Sequence, residues 1–320
     1  MVTHRHSSAR EAFPFLPEHF TDLEEVRVYL RKVLSDEGTL AYLAWDGGEM
    51  AGFAAGQPAL AAPGTLMARY IEERSAVIPL GGHGVREGAD PFEVYGALYA
   101  ALGREWVRRG LLAHRVQFYG NEMGLHDGLV NLGFGRKMVL AVAPVRPIER
   151  PAAPVEIHRA GSEDLEVVLG LEQELSDYQS DAPIFMALDP QTDREMAEFQ
   201  QALLSMDGNA HFVAYRDGKP AGMMTFQNPP VFLQPQLRGE GMVYLYEGVA
   251  SAEARSEGVG EALLAEAMAW MESQGFTHCA LHYHAANQTG GPFWRKHGFE
   301  AAEHEMLRVL DSRIAWARKW

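Results

Sequence analysis

Two periodicities alternate along this chain, apolar residues recurring at helical spacing in some stretches and at every second position in others. Residues 20–34 place Leu23, Val26, Val28, Leu30 and Val33 among charges, an imperfect helical pattern with Thr21 as candidate cap. Residues 39–45 and 50–57 are apolar runs split by Asp46-Gly47-Gly48, the composition of a tight hairpin turn. Residues 66–80 suit a strand with an irregular connection, and 81–90 a glycine-rich loop. Asp90-Pro91 then opens a helix, aspartate as N-cap and proline at the first position, which ends at Arg109-Gly110. A strand at 115–119, a short helix at 124–131 and a strand at 138–142 follow.

Pro144, Pro147, Pro151 and Pro154 crowd one stretch, which forbids regular structure and suits a semi-rigid linker. The expected division is therefore a first domain over 1–146, a linker over 147–154 and a second domain over 155–320. Beyond the linker the same elements return: strand at 155–157, helix from Glu163, helix at 194–204, hairpin, strand, glycine turn, helix, strand, helix, strand.

The recurrence reaches single residues. Ala44-Trp45-Asp46-Gly47-Gly48-Glu49-Met50-Ala51-Gly52 lies over Ala214-Tyr215-Arg216-Asp217-Gly218-Lys219-Pro220-Ala221-Gly222 without a gap. Gly110-Leu111 matches Gly275-Phe276, and Gly133-Phe134 matches Gly298-Phe299. The fold class is α/β (α+β) from a duplicated domain, each copy alternating strands and helices around a mixed sheet.

The second copy carries the chemistry. A strand, residues 243–250, feeds Arg255-Ser256-Glu257-Gly258-Val259-Gly260 and then a helix whose apolar face holds Val259, Ala262, Leu263, Ala267, Trp270 and Met271, closed by Gly275. Such a turn suits phosphate, because first-turn N–H groups lack partners, the dipole is positive there and glycine lets backbone approach a ligand.

Composition narrows the field. A formal net charge of −15 repels nucleic-acid backbones; it serves solubility first, the alternative being an electrostatic preference for a cationic substrate such as an amine. One cysteine, Cys279, excludes an intramolecular disulfide and suits the cytoplasm. Neither a signal peptide nor a membrane span is expected, and the chain is expected to act as a monomer or homodimer. A lone G-x-G with no G-x-G-x-x-G sets a Rossmann dinucleotide site aside.

The Arg255-x-x-Gly258-x-Gly260 turn, followed by Asn287 and by Phe293-Trp294-Arg295-Lys296-His297-Gly298-Phe299, resembles the GCN5-related N-acetyltransferases (GNAT) over most of residues 155–310. The first copy resembles a degenerate member. The resemblance implies two GNAT-like domains in tandem, each a mostly antiparallel mixed sheet flanked by helices. It implies transfer of an acetyl group from acetyl-coenzyme A to an amine, small molecule or peptide, through a direct complex of both substrates and without a metal.

On that reading the cofactor lies along Val249, Ala250 and Ser251, on the amides of Ser256, Glu257, Gly258, Val259, Gly260 and Glu261 with Arg255, and beside Asn287, Phe293 and Trp294. An aliphatic amine, with a pKa of about 10.4, must lose a proton before attack. Glu247 is the candidate base, His284 (with His282 on the same strand face) the second, and Tyr246 a candidate acid. Trp294 stands where the family often has tyrosine, and an indole has no proton to give the departing thiolate. An acyl-coenzyme A binding or sensing protein without turnover is the alternative; a purely structural pair predicts no binding.

Tyr178, Asp181 and Phe185 lie where the family builds acceptor pockets. In the first copy, Arg86-Glu87-Gly88-Ala89-Asp90-Pro91 replaces the glycine turn, so no cofactor is expected there.

Overall fold

The computed structural model describes residues 1–317. The first copy runs α1 (Val2–Ala12), α2 (Leu23–Ser35), β1 (Leu40–Asp46), β2 (Glu49–Ala59), β3 (Ser75–Ile78), β4 (His83–Val85), α3 (Pro91–Arg108), β5 (Ala113–Tyr119), α4 (Met123–Asn131) and β6 (Gly135–Pro144). The second runs β7 (Glu156–Arg159), α5 (Leu165–Ser180), α6 (Asp193–Ser205), β8 (Ala210–Arg216), β9 (Lys219–Gln227), β10 (Met242–Ala250), α7 (Val259–Ser273), β11 (His278–His284), α8 (Gly290–Lys296) and β12 (Glu300–Val309).

The duplication is written into strand register. In the first hairpin the pairing slips between Ala44 and Trp45. In the second it slips between Ala214 and Tyr215, the positions that overlie them in sequence. A bulge is a built feature that adds twist at a fixed point, so its recurrence marks the copies as one design.

The two compact units do not follow the linear division into 1–146 and 155–320. The first unit holds Met1–Ala62, Ile71–Val139 and the described residues from Ala301 on; the second holds Pro63–Tyr70 and Leu140–Glu300. The last strand of the chain thus belongs to the first unit, where β12 pairs antiparallel with β5. The far half of β6 belongs to the second, beside β11. An open sheet leaves an edge that any strand of suitable pattern can cover, and periodicity does not say which sheet a strand will join.

Each sheet is mostly antiparallel with one parallel pair. In the first unit β1, β2 and β3 run antiparallel, then β3 pairs parallel with β5. In the second, β7, β8, β9 and β10 run antiparallel, then β10 pairs parallel with β11. Phe212 and Val213, consecutive in β8, point to opposite faces. Val213 packs with Val168 and Leu171 of α5, whereas Phe212 meets Trp270 of α7 at 5.8 Å between ring centroids, so α5 and α7 cover opposite sides. In the first unit Leu98, Leu102 and Trp106 of α3 pack on Val116 and Phe118. Gly56 is required there, since a Cβ would stand 2.4 Å from the Trp106 ring.

Asp90 caps α3 through the Phe92 N–H at 2.8 Å, as its sequence implies. Two local expectations are corrected, and one helix had no sequence signal. Asp22, not Thr21, caps α2, accepting from the N–H groups of Glu24 and Glu25 at 2.7 and 3.2 Å. The glycine-rich stretch 81–90 contains β4, paired with β2. Helix α1 buries Val2, Arg5, His6 and Ala9, a half-polar face with no apolar stripe to announce it.

Candidate functional site

Two irregularities of β10 build the site. Its parallel pairing with β11 covers residues 242–245 against 278–281 and stops there, while its antiparallel pairing with β9 continues to Ala250. The β11-facing main chain of residues 246–250 therefore lies beyond that ladder, and its N–H and C=O groups can serve an extended ligand. Between Leu245 and Glu247 the register with β9 also slips. The extra residue turns two consecutive side chains to one helix. Tyr246 meets Phe199 of α6 at 5.2 Å between centroids, and Glu247 accepts a hydrogen bond from Gln200 of α6 at 2.8 Å.

Glu247 is buried. Burial and the nearby Glu172 charge raise its carboxyl to about 8, against the opposing pull of Gln200 and Arg69. Glu172, also buried, accepts from Arg69 Nη1 at 3.1 Å and from Ser176 Oγ at 2.6 Å. Burial likewise holds the Tyr246 phenol well above its usual value, so it stays protonated at neutral pH. Tyr246 stacks on Phe232 at 5.3 Å, and its hydroxyl lies 3.3 Å from that of Tyr70.

The glycine turn has the conformation its residues predict. Gly258 is the N-cap of α7 with φ of +83°, and Ser256 before it has φ of +66°, both left-handed. The N–H groups of the first turn of α7 have no carbonyl of their own helix to bond. The acidic residues around them are paired with cations: Glu257 with Arg216, and Glu261 with Lys296. Arg255 is exposed, its guanidinium stacked 4.5 Å over the Tyr178 ring. A Cβ at Gly258 would meet Ala153 and Pro151 of the proline-rich segment, and one at Gly260 would lie 3.5 Å from the Phe293 ring.

Asn287 folds back on its own turn. Its Oδ1 accepts from the N–H groups of Thr289 and Gly290 at 3.1 and 2.7 Å and from the Tyr178 hydroxyl at 3.2 Å. Those donors fix the amide orientation and leave the NH2 to donate outward. Trp294 is buried between Phe293 and Phe299, with its ring edge against Gly248.

The expected acceptor residues do not converge. Tyr178 joins Arg255 and Asn287 on the glycine-turn side, Asp181 caps a local turn through the Ala182 N–H at 2.7 Å, and Phe185 is 71% exposed. His282 bonds Tyr244 at 2.8 Å, and burial lowers it to about 4, too weak a base to compete with Glu247. His284 ends β11, where its carbonyl accepts from the Asn287 N–H at 2.9 Å. Burial pushes the Cys279 thiol up to about 12. Among the described residues no three His, Cys, Asp or Glu side chains are arranged to hold a metal, and no helix is long and apolar enough to cross a membrane. Sequence reasoning missed Arg69, Glu172 and Gln200; one signal was available, a Glu172 and a Gln200 on the inward faces of two amphipathic helices.

The corresponding place in the first unit is filled. Arg5 donates to the carbonyls of Leu80 and His83 at 3.0 and 2.6 Å and makes a two-pronged bond to Glu122 at 2.6 and 2.7 Å. His83 Nε2 donates to the Gln117 carbonyl of β5 at 2.8 Å, leaving Nδ1 to accept from Tyr95 at 2.5 Å. Side chains thus bridge β4 to β5 beyond the residues where β3 and β5 pair.

Residues 172–299 match the acetyltransferase (GNAT) family model. A GCN5-related N-acetyltransferase from Sphaerobacter thermophilus is similar at 17% identity, with a TM-score of 0.50 over 88% of this chain and 85% of its own. A tandem GNAT protein from the clavulanic acid biosynthesis pathway aligns over 89% of this chain and 87% of its own, at 13% identity and a TM-score of 0.45. The PaiA N-acetyltransferase from Thermoplasma acidophilum, solved with coenzyme A, covers 49% of this chain with 99% of its own, at 18% identity and a TM-score of 0.37. Curated protein sequences give no significant match. The family model spans the bulged strand, the glycine turn and the closing helix, and the Sphaerobacter likeness extends the fold over both copies. The family model covers residues 172–299, within the second copy, and marks that segment as a GNAT-family domain.

Proposed function

We propose that the second copy transfers an acetyl group from acetyl-coenzyme A to a primary amine of a small molecule or peptide, both substrates being bound together. The observation that carries this is a buried glutamate on a strand bulge, at the point where β10 parts from β11 and beside a left-handed glycine that opens a helix. The residues fit the donor. First-turn amides of α7 and Arg255 suit its pyrophosphate, and the main chain of residues 246–250 suits its extended arm.

The amine nitrogen attacks the thioester carbonyl carbon; the C–N bond forms, the C–S bond breaks and the sulfur leaves as thiolate. Glu247 takes the amine proton, and main-chain N–H groups of the open strand edge polarise the carbonyl oxygen. With its carboxyl at about 8, roughly a tenth of Glu247 is ionised at pH 7, so it is a base matched to mildly alkaline conditions. A thiolate of pKa near 8.5 can leave unaided, and the protonated Tyr246 is available to return a proton.

Trp294 favours a second reading, an acyl-coenzyme A binding protein without turnover, since no ionisable group stands at that position. Calorimetric titration of acetyl-coenzyme A into wild type and Arg255→Glu tests both. One site per chain, lost in the variant, supports the donor site; absence of binding at concentrations on the order of millimolar overturns it. Coenzyme A release across a panel of primary amines supports the enzyme, and binding without release supports the second reading.

A further inference from the structure

We infer that Pro63–Tyr70, which lies in sequence within the first copy, is a working part of the second copy's site, with Arg69 as a positioning residue that fixes α5 and α6 around Glu247. The inference rests on the function proposed above for Glu247.

The contacts are dense and specific. Arg69 is buried, and its guanidinium is shared among four side chains of the second unit. Nε donates to Thr192 at 2.6 Å, Nη1 to Glu172 at 3.1 Å and to Ser176 at 3.4 Å, and Nη2 to Asp193 at 3.4 Å. Glu172 and Ser176 belong to α5, whereas Thr192 and Asp193 begin α6. One planar group therefore pins two helices at fixed spacing, which a point charge such as lysine cannot do. Ahead of it the Leu66 N–H bonds Glu195, and after it the Tyr70 hydroxyl meets Tyr246.

That arrangement governs what surrounds Glu247. From α6 it meets Gln200, from α5 the carboxylate of Glu172, and from the inserted segment the charge of Arg69, with Tyr246 and Tyr70 alongside. Two carboxylates buried near one another need a cation, and within this constellation Arg69 supplies it. The second copy alone encodes no side chain in that place.

Carbon NMR of the full chain labelled at the glutamate carboxyl tests this, with Glu247→Gln and Glu172→Gln assigning the two resonances. In Arg69→Met the Glu247 resonance titrates at higher pH than in wild type, by about one unit, because a cation that favours its carboxylate is gone. Arg69→Lys, which keeps the charge but not the planar fork, restores the titration only in part. Acetyl-coenzyme A affinity stays unchanged in both. Identical titration in wild type and Arg69→Met overturns the inference. Should Arg69→Met not fold, Glu172→Gln decides: with Arg69 left facing Glu247 alone, Glu247 titrates lower, and an unmoved resonance overturns the coupling. A chain that fails to bind acetyl-coenzyme A yet shows these shifts would sink the proposed reaction and leave the positioning role standing.

Discussion

The indole of Trp294 rests against Gly248, so closely that a Cβ on that glycine would lie 3.4 Å from both Cζ2 and Cη2. Gly248 follows Glu247 on the bulged strand, so the indole lies against the residue next to the proposed base. We expect Trp294→Tyr to cost about 1–3 kcal/mol of stability through lost packing and to raise kcat with acetyl-coenzyme A affinity unchanged. Thermal melts, calorimetry and a thiol-release assay measure the three quantities. Unchanged kcat would mean that protonation of sulfur is not limiting.

Acetyl transfer should rise with pH and level off above about 8, because Glu247 must be ionised to accept the amine proton. The Gln200 hydrogen bond favours the carboxylate, so Gln200→Leu moves the midpoint to higher pH, and Glu247→Gln removes the rise. The pH dependence of kcat/KM in the three proteins checks this; a midpoint indifferent to Gln200 would assign the titration to another group.

The hairpins, the glycine turn and its helix were legible because each is local: alternation of two, a positive-φ glycine at the turn and a helical stripe need no knowledge of distant chain. Helix α1 was not, since Arg5 and His6 occupy its inward face and are satisfied by Glu122 and Tyr119, more than a hundred residues away. The same limit hid the surroundings of Glu247. Its place on a strand end could be read, but its raised carboxyl depends on Glu172 and Arg69, brought together only by the fold. Thr21 and Asp22 are adjacent, and aspartate is the stronger N-cap of the two, so local chemistry already favoured Asp22.

In the first copy, Glu122→Ala should destabilise the protein by roughly 3–5 kcal/mol, because it leaves the buried Arg5 guanidinium without its carboxylate. Arg5→Met combined with Glu122→Leu should cost less than Glu122→Ala alone, since no charge is then stranded. Chemical denaturation of the three variants measures the difference. If this polar plug closes the first copy to cofactor, the wild-type titration with acetyl-coenzyme A gives one site per chain, and a second site would contradict it.

Stability should peak on the acid side of neutrality. Burial holds His83 at about 3 and His114 and His304 at about 4, below the unfolded value near 6.5, so the stability they contribute is lost as pH falls below that value toward 4. Glu247 and Glu303, raised to about 8 by burial and neighbouring carboxylates, act oppositely: their contribution is complete below the unfolded value near 4.5 and is lost as pH rises through 8. Melting temperatures from about pH 4 to 9 should therefore describe a dome, and Glu303→Gln should flatten its alkaline side.

The exchange of terminal strands bears on how this chain can be born. β12 is synthesised after every other described strand, yet belongs to the unit that holds β1 to β5. Until β12 has been made, β5 lacks that partner strand. Duplication ordinarily yields two modules that can be separated; here a cut at the linker would take β12 from the unit it belongs to.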